Sequence, residues 1–494
     1  MFNKVLIANR GEIAVRIMRT CREMGLATVA VYSRVDEVAS HVLEADEAVF
    51  LGESDPLASY LNIERVIAAA RAMGAQAVHP GYGFLAENAE FATACQDAGL
   101  VFVGPPPKVI HNLGSKTNAR QIMAKAGLPV IPGSMEATLD FESLSASARE
   151  IGYPLLVKAM AGGGGKGIRV VEEPGQLREA CELAISEAAK AFGDGRVYLE
   201  RKLISPRHVE IQILADMQGN IVHLFERECS IQRRNQKIIE ETPCPALTPE
   251  MRYAMGQTAV IAALAANYVN AGTVEFLLAP DGAFYFLEIN TRLQVEHTIT
   301  EMTTGVDLVR CQLEIAAGLP LSLTQEELSQ RGHAIECRIY AEDPLAGFLP
   351  SPGQILYLRQ PSGPGVRNDC GICQGCQIPL EYDPILSKLV VHARTREEAR
   401  QRMLRALGDY VVLGIKTSIP FLTDVLASQP FIAGATSTDF LEKYMADWRP
   451  NPKGADLASL AYILIDNLRS QAPHGVGQPP GWPTPWQTLG QWIM

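Results

Sequence analysis

At 494 residues the chain is long enough for about three domains. Its formal net charge of −11, with acidic residues spread along the length, argues against a nucleic-acid surface or a polybasic membrane patch, so any anionic substrate must be met by local basic groups. No stretch approaches a membrane span, and the first residues pass straight into a strand without a long apolar leader, so a cytoplasmic protein is expected.

Residues 1–112 alternate strand and helix: strands at Lys4–Ala8, Thr28–Tyr32, Ala77–His79 and Val101–Val103, helices at Glu12–Met24 and near Tyr60–Met73. This is the pattern of a doubly wound parallel sheet. Asn9-Arg10-Gly11-Glu12 occupies the place of a dinucleotide-binding turn but lacks GxGxxG, which argues against a nucleotide there. The glycine-rich loop His79–Asn88, following a strand, lies where open sheets build ligand crevices and reads as a site wall.

The second region, 113–329, gives a helix after Lys116, a strand Pro154–Lys158, the loop from Ala159 to Gly167 with four adjacent glycines, and a strand Ile168–Val171. A P-loop needs a helix after its glycines; here a strand follows. Gly162 to Gly165 have almost no packing value, so they suit backbone that approaches a ligand or moves as a phosphate-covering flap, with Lys116, Lys158 and Lys166 around it. Glu200 to Leu203 end a further strand, and alternation puts His208 and Glu210 on one face of the next. Arg227 to Lys237 is dense in polar and basic groups.

Gly272–Leu278 and Ala283–Glu288 flank a Pro-Asp-Gly turn and predict a β-hairpin. Pairing Leu278 with Ala283 sets Glu275 opposite Phe286, with Glu275, Glu288 and Asn290 on one side and the two carboxylates diagonal neighbours. Hard oxygen donors of this kind suit Mg²⁺ with a nucleotide, and Arg292 adds a planar fork for a small oxyanion. The crowding of carboxylates, amides and a guanidinium into Glu288–His297 is nothing that a stable core needs.

The third region, 330–447, begins with a strand placing Glu336, Arg338 and Tyr340 on one face; β-rich segments follow, then an amphipathic helix, Thr395–Asp409, with its charges outward. Most of the ten cysteines are scattered in apolar contexts, as reduced thiols are. Cys370, Cys373 and Cys376 form two overlapping CxxC spacings, but a fourth ligand is missing nearby, so cysteines in a turn-rich hairpin are favoured over a metal or redox site. Residues 448–494 change composition, with a helix candidate at Ala455–Ser470, a Pro/Gly-rich stretch at Pro473–Pro485, and Trp482, Trp486 and Trp492.

Six motifs in order, IANRGEIAVRI, HPGYGFLAEN, KAMAGGGGKGIRVV, ERECSIQRRNQK, EINTRLQVEHTITE and GHAIECRIYAEDP, resemble those of the biotin carboxylase component of biotin-dependent carboxylases, over about residues 2–447. The resemblance implies an α/β and α+β chain: a doubly wound N-terminal domain (1–112), an ATP-grasp domain (113–329) with a mobile glycine-rich lid (about 131–203), a β-rich C-terminal domain (330–447), and a tail (448–494) that could dock a partner. It implies ATP- and bicarbonate-dependent carboxylation of biotin through carboxyphosphate, in the cytoplasm. By the same resemblance, Lys116, Lys158, Gly164, Gly165, Glu200, Arg201, Lys202, Leu203, His208, Gln232, Asn235, Glu275 and Glu288 would contact ATP. Glu275, Glu288 and Asn290 would hold Mg²⁺ or Mn²⁺. Lys237, Arg292, Gln294 and Val295 would hold bicarbonate, Glu296 would be the general base, and Arg338 with Tyr82 would meet biotin; Glu296, Arg292, Lys237 and Arg338 would be catalytic. Asn235 stands where the family commonly has His, and Ala161 where Gly is frequent. With no Ala-Met-Lys-Met motif and no carboxyltransferase domain, the biotin carrier protein and carboxyltransferase are expected on other chains, and a homodimer is implied. Another ATP-grasp ligase, or a non-catalytic assembly or metal-sensing subunit, are the competing readings.

Overall fold

Short runs of buried aliphatic residues build the N-terminal sheet. Strands β1 (Lys4–Ile7), β2 (Ala27–Ser33), β3 (Glu47–Gly52), β4 (Ala77–His79) and β5 (Val101–Phe102) are parallel in the order β3-β2-β1-β4-β5. This is the doubly wound sheet expected, with β3 as an edge strand that the sequence reading missed: Glu47, Phe50 and their neighbours alternate in and out of solvent. Helix α1 (Gly11–Glu23) follows β1, entered through Gly11 at φ 65°. The structure, a computed structural model, describes residues 1–134, 136–160 and 168–450. Gly164, Gly165, Lys166 and the tail features from Ala455 onward lie outside the described residues. Residues 1–448 form one compact unit.

Strands β6 (Leu155–Ala159), β7 (Ile168–Val171) and β8 (Val197–Arg201) make a small antiparallel sheet in the order β7-β6-β8, so a strand does follow the glycine loop. Among the described residues the largest sheet has eight strands. It runs β13 (Phe284–Asn290), β12 (Asn270–Leu278), β9 (Arg207–Ala215), β10 (Ile221–Arg233), β11 (Gln236–Thr242), β14 (His333–Tyr340), Ile385–Ala393 and Val366–Cys370. Because β11 pairs with β14, this sheet is continuous across the division expected near residue 330.

The β12–β13 hairpin forms, but in a different register from that expected. Ala279 bonds Ala283 around Pro280-Asp281-Gly282, with Gly282 at φ 89°, so Leu278 faces Phe284 rather than Ala283. Continued unbroken, that register would turn Glu288 to the opposite face from Glu275. A β-bulge between the Phe276–Phe286 and Glu275–Glu288 pairs takes up one residue and restores the shared face. The two carboxylates are therefore directly opposed, closer than the diagonal placement predicted.

Helix Arg396–Asp409 is capped by the Thr395 hydroxyl, yet its charges do not all face outward. Arg400 is buried and donates to the Leu426 carbonyl, and Arg396 reaches Glu241 at 2.7 Å, because a neighbouring helix and β11 offer acceptors on that face. Among the described residues no helix is long and apolar enough to cross a membrane.

Candidate active site

Two clusters meet along β13. At one end a cleft is lined by Lys116, Arg120, Lys158, Glu200 and Glu288, with Ile131, Tyr198, Phe286 and Leu287 as its apolar wall. Lys158 and Arg120 both bond Glu200, the latter at 2.9 Å, and Lys116 Nζ lies 3.5 Å from Glu288. Arg120, four residues after Lys116 on the helix Lys116–Lys125, shares its face. Basic groups around an aromatic and aliphatic wall suit a nucleotide with its phosphates.

At the other end Lys237 gathers three buried carboxylates: Glu210 at 2.5 Å, Glu275 at 2.7 Å and Glu296 at 2.7 Å. Arg338 donates to the second oxygen of Glu296 at 2.9 Å and to Glu240 at 2.6 Å. Burial alone would raise the Glu296 carboxyl, but Lys237, then Arg338 and Arg227, hold it well below the usual range. Glu275 is likewise held low against its burial by Lys237 and His208. Glu210 goes the other way, raised by burial and by the charge of Glu296. Burial would lower the Lys237 ammonium, yet the three carboxylates raise it well above the ordinary value.

The loop 291–296 carries the remaining groups. Arg292 is held by Glu87 at 2.9 Å and by the Gln294 side chain at 2.7 Å, and Gln294 and Asn290 each donate to Glu275, at 3.0 and 2.8 Å. Glu87 belongs to the glycine-rich loop of the N-terminal sheet, which is pinned by Asn9 bonding the carbonyls of Pro80 and Tyr82. That loop is thus a wall of this site.

The sequence-predicted residues fall in different places. Lys116, Lys158, Glu200 and Glu288 line the cleft, while His208, Lys237, Glu275, Asn290, Arg292, Gln294, Glu296 and Arg338 form the second cluster. Gln232 bonds the His208 ring at 3.2 Å. Tyr82 sits with its ring centroid 5.4 Å from Lys388. The Arg201 side chain turns to the Ile151 carbonyl and Lys202 to Glu172, and their amides donate to the carbonyls of Pro132 and Pro154. Glu87, Arg120, Glu210, Arg227, Glu240 and Lys388 were not singled out for the site. Three of these nevertheless lie in stretches that carry a sequence signal: Glu210 alternates with His208, Glu87 lies in the glycine-rich loop read as a site wall, and Arg227 opens the basic run 227–237.

Asn235 is exposed in the β10–β11 turn at φ 64°, after Arg234 at φ 50°. Asn tolerates this left-handed backbone, which gives it a local conformational reason to stand there. Asn235→Val is expected to lower stability by about 1–2 kcal/mol, read by thermal or denaturant unfolding, with Asn235→Gly close to wild type.

All-oxygen donors on directly paired strands, Glu275 and Glu288 with Asn290 beside them, fit a hard divalent cation. Among the described residues, the groups of three or more His, Cys, Asp or Glu side chains with donor atoms close enough to share an ion are His208, Glu210, Glu275 and Glu210, Cys229, Glu296. Cys370, Cys373 and Cys376 form no such cluster; Cys370 faces the Ile372 carbonyl and Tyr410, and the Cys373 amide donates to the Cys376 sulphur.

Models of the biotin carboxylase N-terminal domain match residues 1–110, the carbamoyl-phosphate synthase L chain ATP binding domain residues 115–324, and the biotin carboxylase C-terminal domain residues 336–443. Biotin carboxylase 2 of Bacillus subtilis (strain 168) is 50% identical over 445 residues, 90% of this chain and 100% of the relative. The chain belongs to the biotin carboxylase family. The α subunit of mitochondrial methylcrotonoyl-CoA carboxylase from Dictyostelium discoideum is 46% identical over 492 residues, 99% of this chain and 70% of that one. Among solved structures, the biotin carboxylase domain dimer of Hydrogenobacter thermophilus 2-oxoglutarate carboxylase, in complex with magnesium ADP, ADP and bicarbonate, superposes with a TM-score of 0.88 at 47% identity, covering 91% of this chain and 99% of its own. Biotin carboxylase architecture accounts for the parallel sheet, the cleft lined by Lys116, Lys158 and Glu288, and the β-rich C-terminal part.

Proposed function

We propose that this chain is an ATP-dependent ligase that carboxylates biotin with bicarbonate, the first half-reaction of a biotin-dependent carboxylase. The observation that carries the reading is Glu296, fully buried, with one oxygen on Lys237 and the other on Arg338, in the loop that follows the strand of the cleft-lining Glu288. Few arrangements other than anion activation beside a nucleotide call for that set.

In this reading ATP lies in the Lys116–Lys158–Glu288 cleft, and Lys237, Arg292, Gln294 and the Val295 backbone receive bicarbonate. Lys237 donors taken up by the incoming anion are donors lost to Glu296, which makes Glu296 the stronger base. Glu296 accepts the bicarbonate proton as the carboxylate oxygen attacks the γ-phosphorus, and ADP leaves. Carboxyphosphate then breaks to CO₂ and phosphate; the phosphate takes the N1 proton of biotin, N1 attacks CO₂, and Arg338 stabilises the charge on the ureido oxygen. Glu275, Glu288 and Asn290 would hold Mg²⁺ or Mn²⁺, which neutralises phosphate charge.

The similarity to subunits of multi-component carboxylases supports a separate biotin carrier as partner and a homodimer as the assembled form, with the carboxyltransferase on another chain; the cytoplasm as the compartment is part of this proposal. The domain divisions at 112/113, 329/330 and 447/448 belong to this reading too. The intact Lys237, Arg292 and Glu296 set speaks against a non-catalytic assembly subunit. The test is phosphate release from ATP by the purified chain: it should need bicarbonate and Mg²⁺ and rise on adding free biotin. Turnover indifferent to biotin would sink the proposal.

A further inference from the structure

Lys388 is fully buried on the strand Ile385–Ala393 and is the direct cross-strand neighbour of Arg338 on β14. Arg338 grips the Glu296 carboxylate, while Lys388 Nζ donates to the Val295 carbonyl at 3.1 Å, the oxygen of the very peptide that leads into Glu296. Two adjacent cations of one sheet row therefore fix the backbone and the side chain of the same residue. The rest of the loop is held by its own partners: the Gln294 carbonyl lies 2.7 Å from His297 Nδ1, and the Leu293 carbonyl accepts from Arg292.

On its far side Lys388 lies 3.2 Å from Glu12 Oε2, on α1. Burial pushes the Glu12 carboxyl up to about 7 even with Lys388 beside it. The backbone of α1 is itself pressed against the C-terminal strands: a Cβ on Gly371 would stand 2.3 Å from the Glu12 nitrogen. With the Tyr82 ring over it, Lys388 joins the N-terminal sheet, the 291–296 loop and the C-terminal strands at one point. A lysine with no exposed surface is expensive to bury, and packing alone would be served better by Met or Leu. Its contacts with the Val295 carbonyl and with Glu12 are those that neither could replace, and only the first reaches the anion loop.

We infer that Lys388 is a positioning residue for the anion step, orienting the Val295–Glu296 peptide and with it the aim of Glu296 and of the loop bearing Arg292 and Gln294. This rests on the reading of that loop as the bicarbonate site. Steady-state ATP turnover with varied bicarbonate tests it in the full chain. Lys388→Met should raise the KM for bicarbonate by about 10- to 100-fold, as a displaced reacting group does, with the KM for ATP unchanged and Lys388→Arg recovering much of the loss. The double variant Glu12→Gln/Lys388→Met removes the unpaired carboxylate and should regain thermal stability without regaining bicarbonate affinity; it also carries the test if Lys388→Met alone folds poorly. Wild-type bicarbonate kinetics in the double variant would reduce Lys388 to a counter-ion for Glu12 and overturn the inference, as would an unchanged KM in Lys388→Met. Bicarbonate-independent turnover by the wild type would instead overturn the underlying reading together with it.

Discussion

Replacing Glu296 with Gln is expected to cut biotin-stimulated ATP turnover by about 10²- to 10⁴-fold, the range for losing a positioned general base, while nucleotide affinity stays at the wild-type value. The side chain keeps its shape and an oxygen for Lys237 or Arg338, so the loss isolates proton transfer from packing. The nucleotide cleft is untouched, because Lys116, Lys158 and Glu200 make no contact with Glu296. Initial rates at saturating ATP and bicarbonate, beside ADP binding by calorimetry, check both halves. A Glu296→Gln enzyme turning over within a few-fold of wild type would remove Glu296 from the chemistry.

The same substitution has a pH signature. Lys237, Arg338 and Arg227 hold the folded-state Glu296 carboxyl well below its unfolded value, against the pull of burial. A depressed carboxyl contributes stability that is fully present above the unfolded pKa and is lost as pH falls through the folded one. The stability gap between wild type and Glu296→Gln should therefore be constant at neutral pH and close only in acid, below the ordinary carboxylate range. Glu296 should not set the acidic limb of the pH–rate profile near neutrality either, since it is already ionised there.

Much of this site could be read from the chain because it violates what a core requires. Glu288 to His297 packs two carboxylates, two amides and a guanidinium into a strand end, and the structure gathers them with Lys237 and Arg338. The buried runs of β1 and β2 carry the parallel sheet in the same direct way, whereas β3, an edge strand with Glu47 and Phe50 partly in solvent, has no such run. The hairpin register was not legible, since one residue of bulge cancels one residue of turn and the pattern of faces comes out the same either way. Glu87, Arg227 and Lys388 escaped for a different reason. Each meets its partner across a sheet or between sheets, with separations such as the 205 residues between Glu87 and Arg292, and nothing local marks that pairing.

Arg227 is the case where the hidden partner matters most for stability. It is fully buried on β10, donating to Glu210 at 2.6 Å, to Gln212 at 2.7 Å, to Thr300 at 2.9 Å and to Thr273 at 3.1 Å, so that one guanidinium ties β9, β12 and the helix His297–Thr304 together. Arg227→Met should cost about 3–5 kcal/mol, the usual result of stripping a buried charge of its partner, against a total stability that is typically about 5–15 kcal/mol. The thermal midpoint should fall by roughly 3–5 °C, from an unfolding entropy of about 2.1 cal/mol/K per residue over the unit of residues 1–448. If the damage lies in the charge left on Glu210, then Glu210→Gln/Arg227→Met should recover much of the midpoint, because a neutral pair no longer carries an uncompensated anion. Turnover should stay low in the double variant, since Lys237 has lost the shortest of its three carboxylate anchors. A double variant as unstable as the single one would mean that Arg227 acts through its bonds to Gln212, Thr273 and Thr300, and that the charge of Glu210 is borne by Lys237 alone.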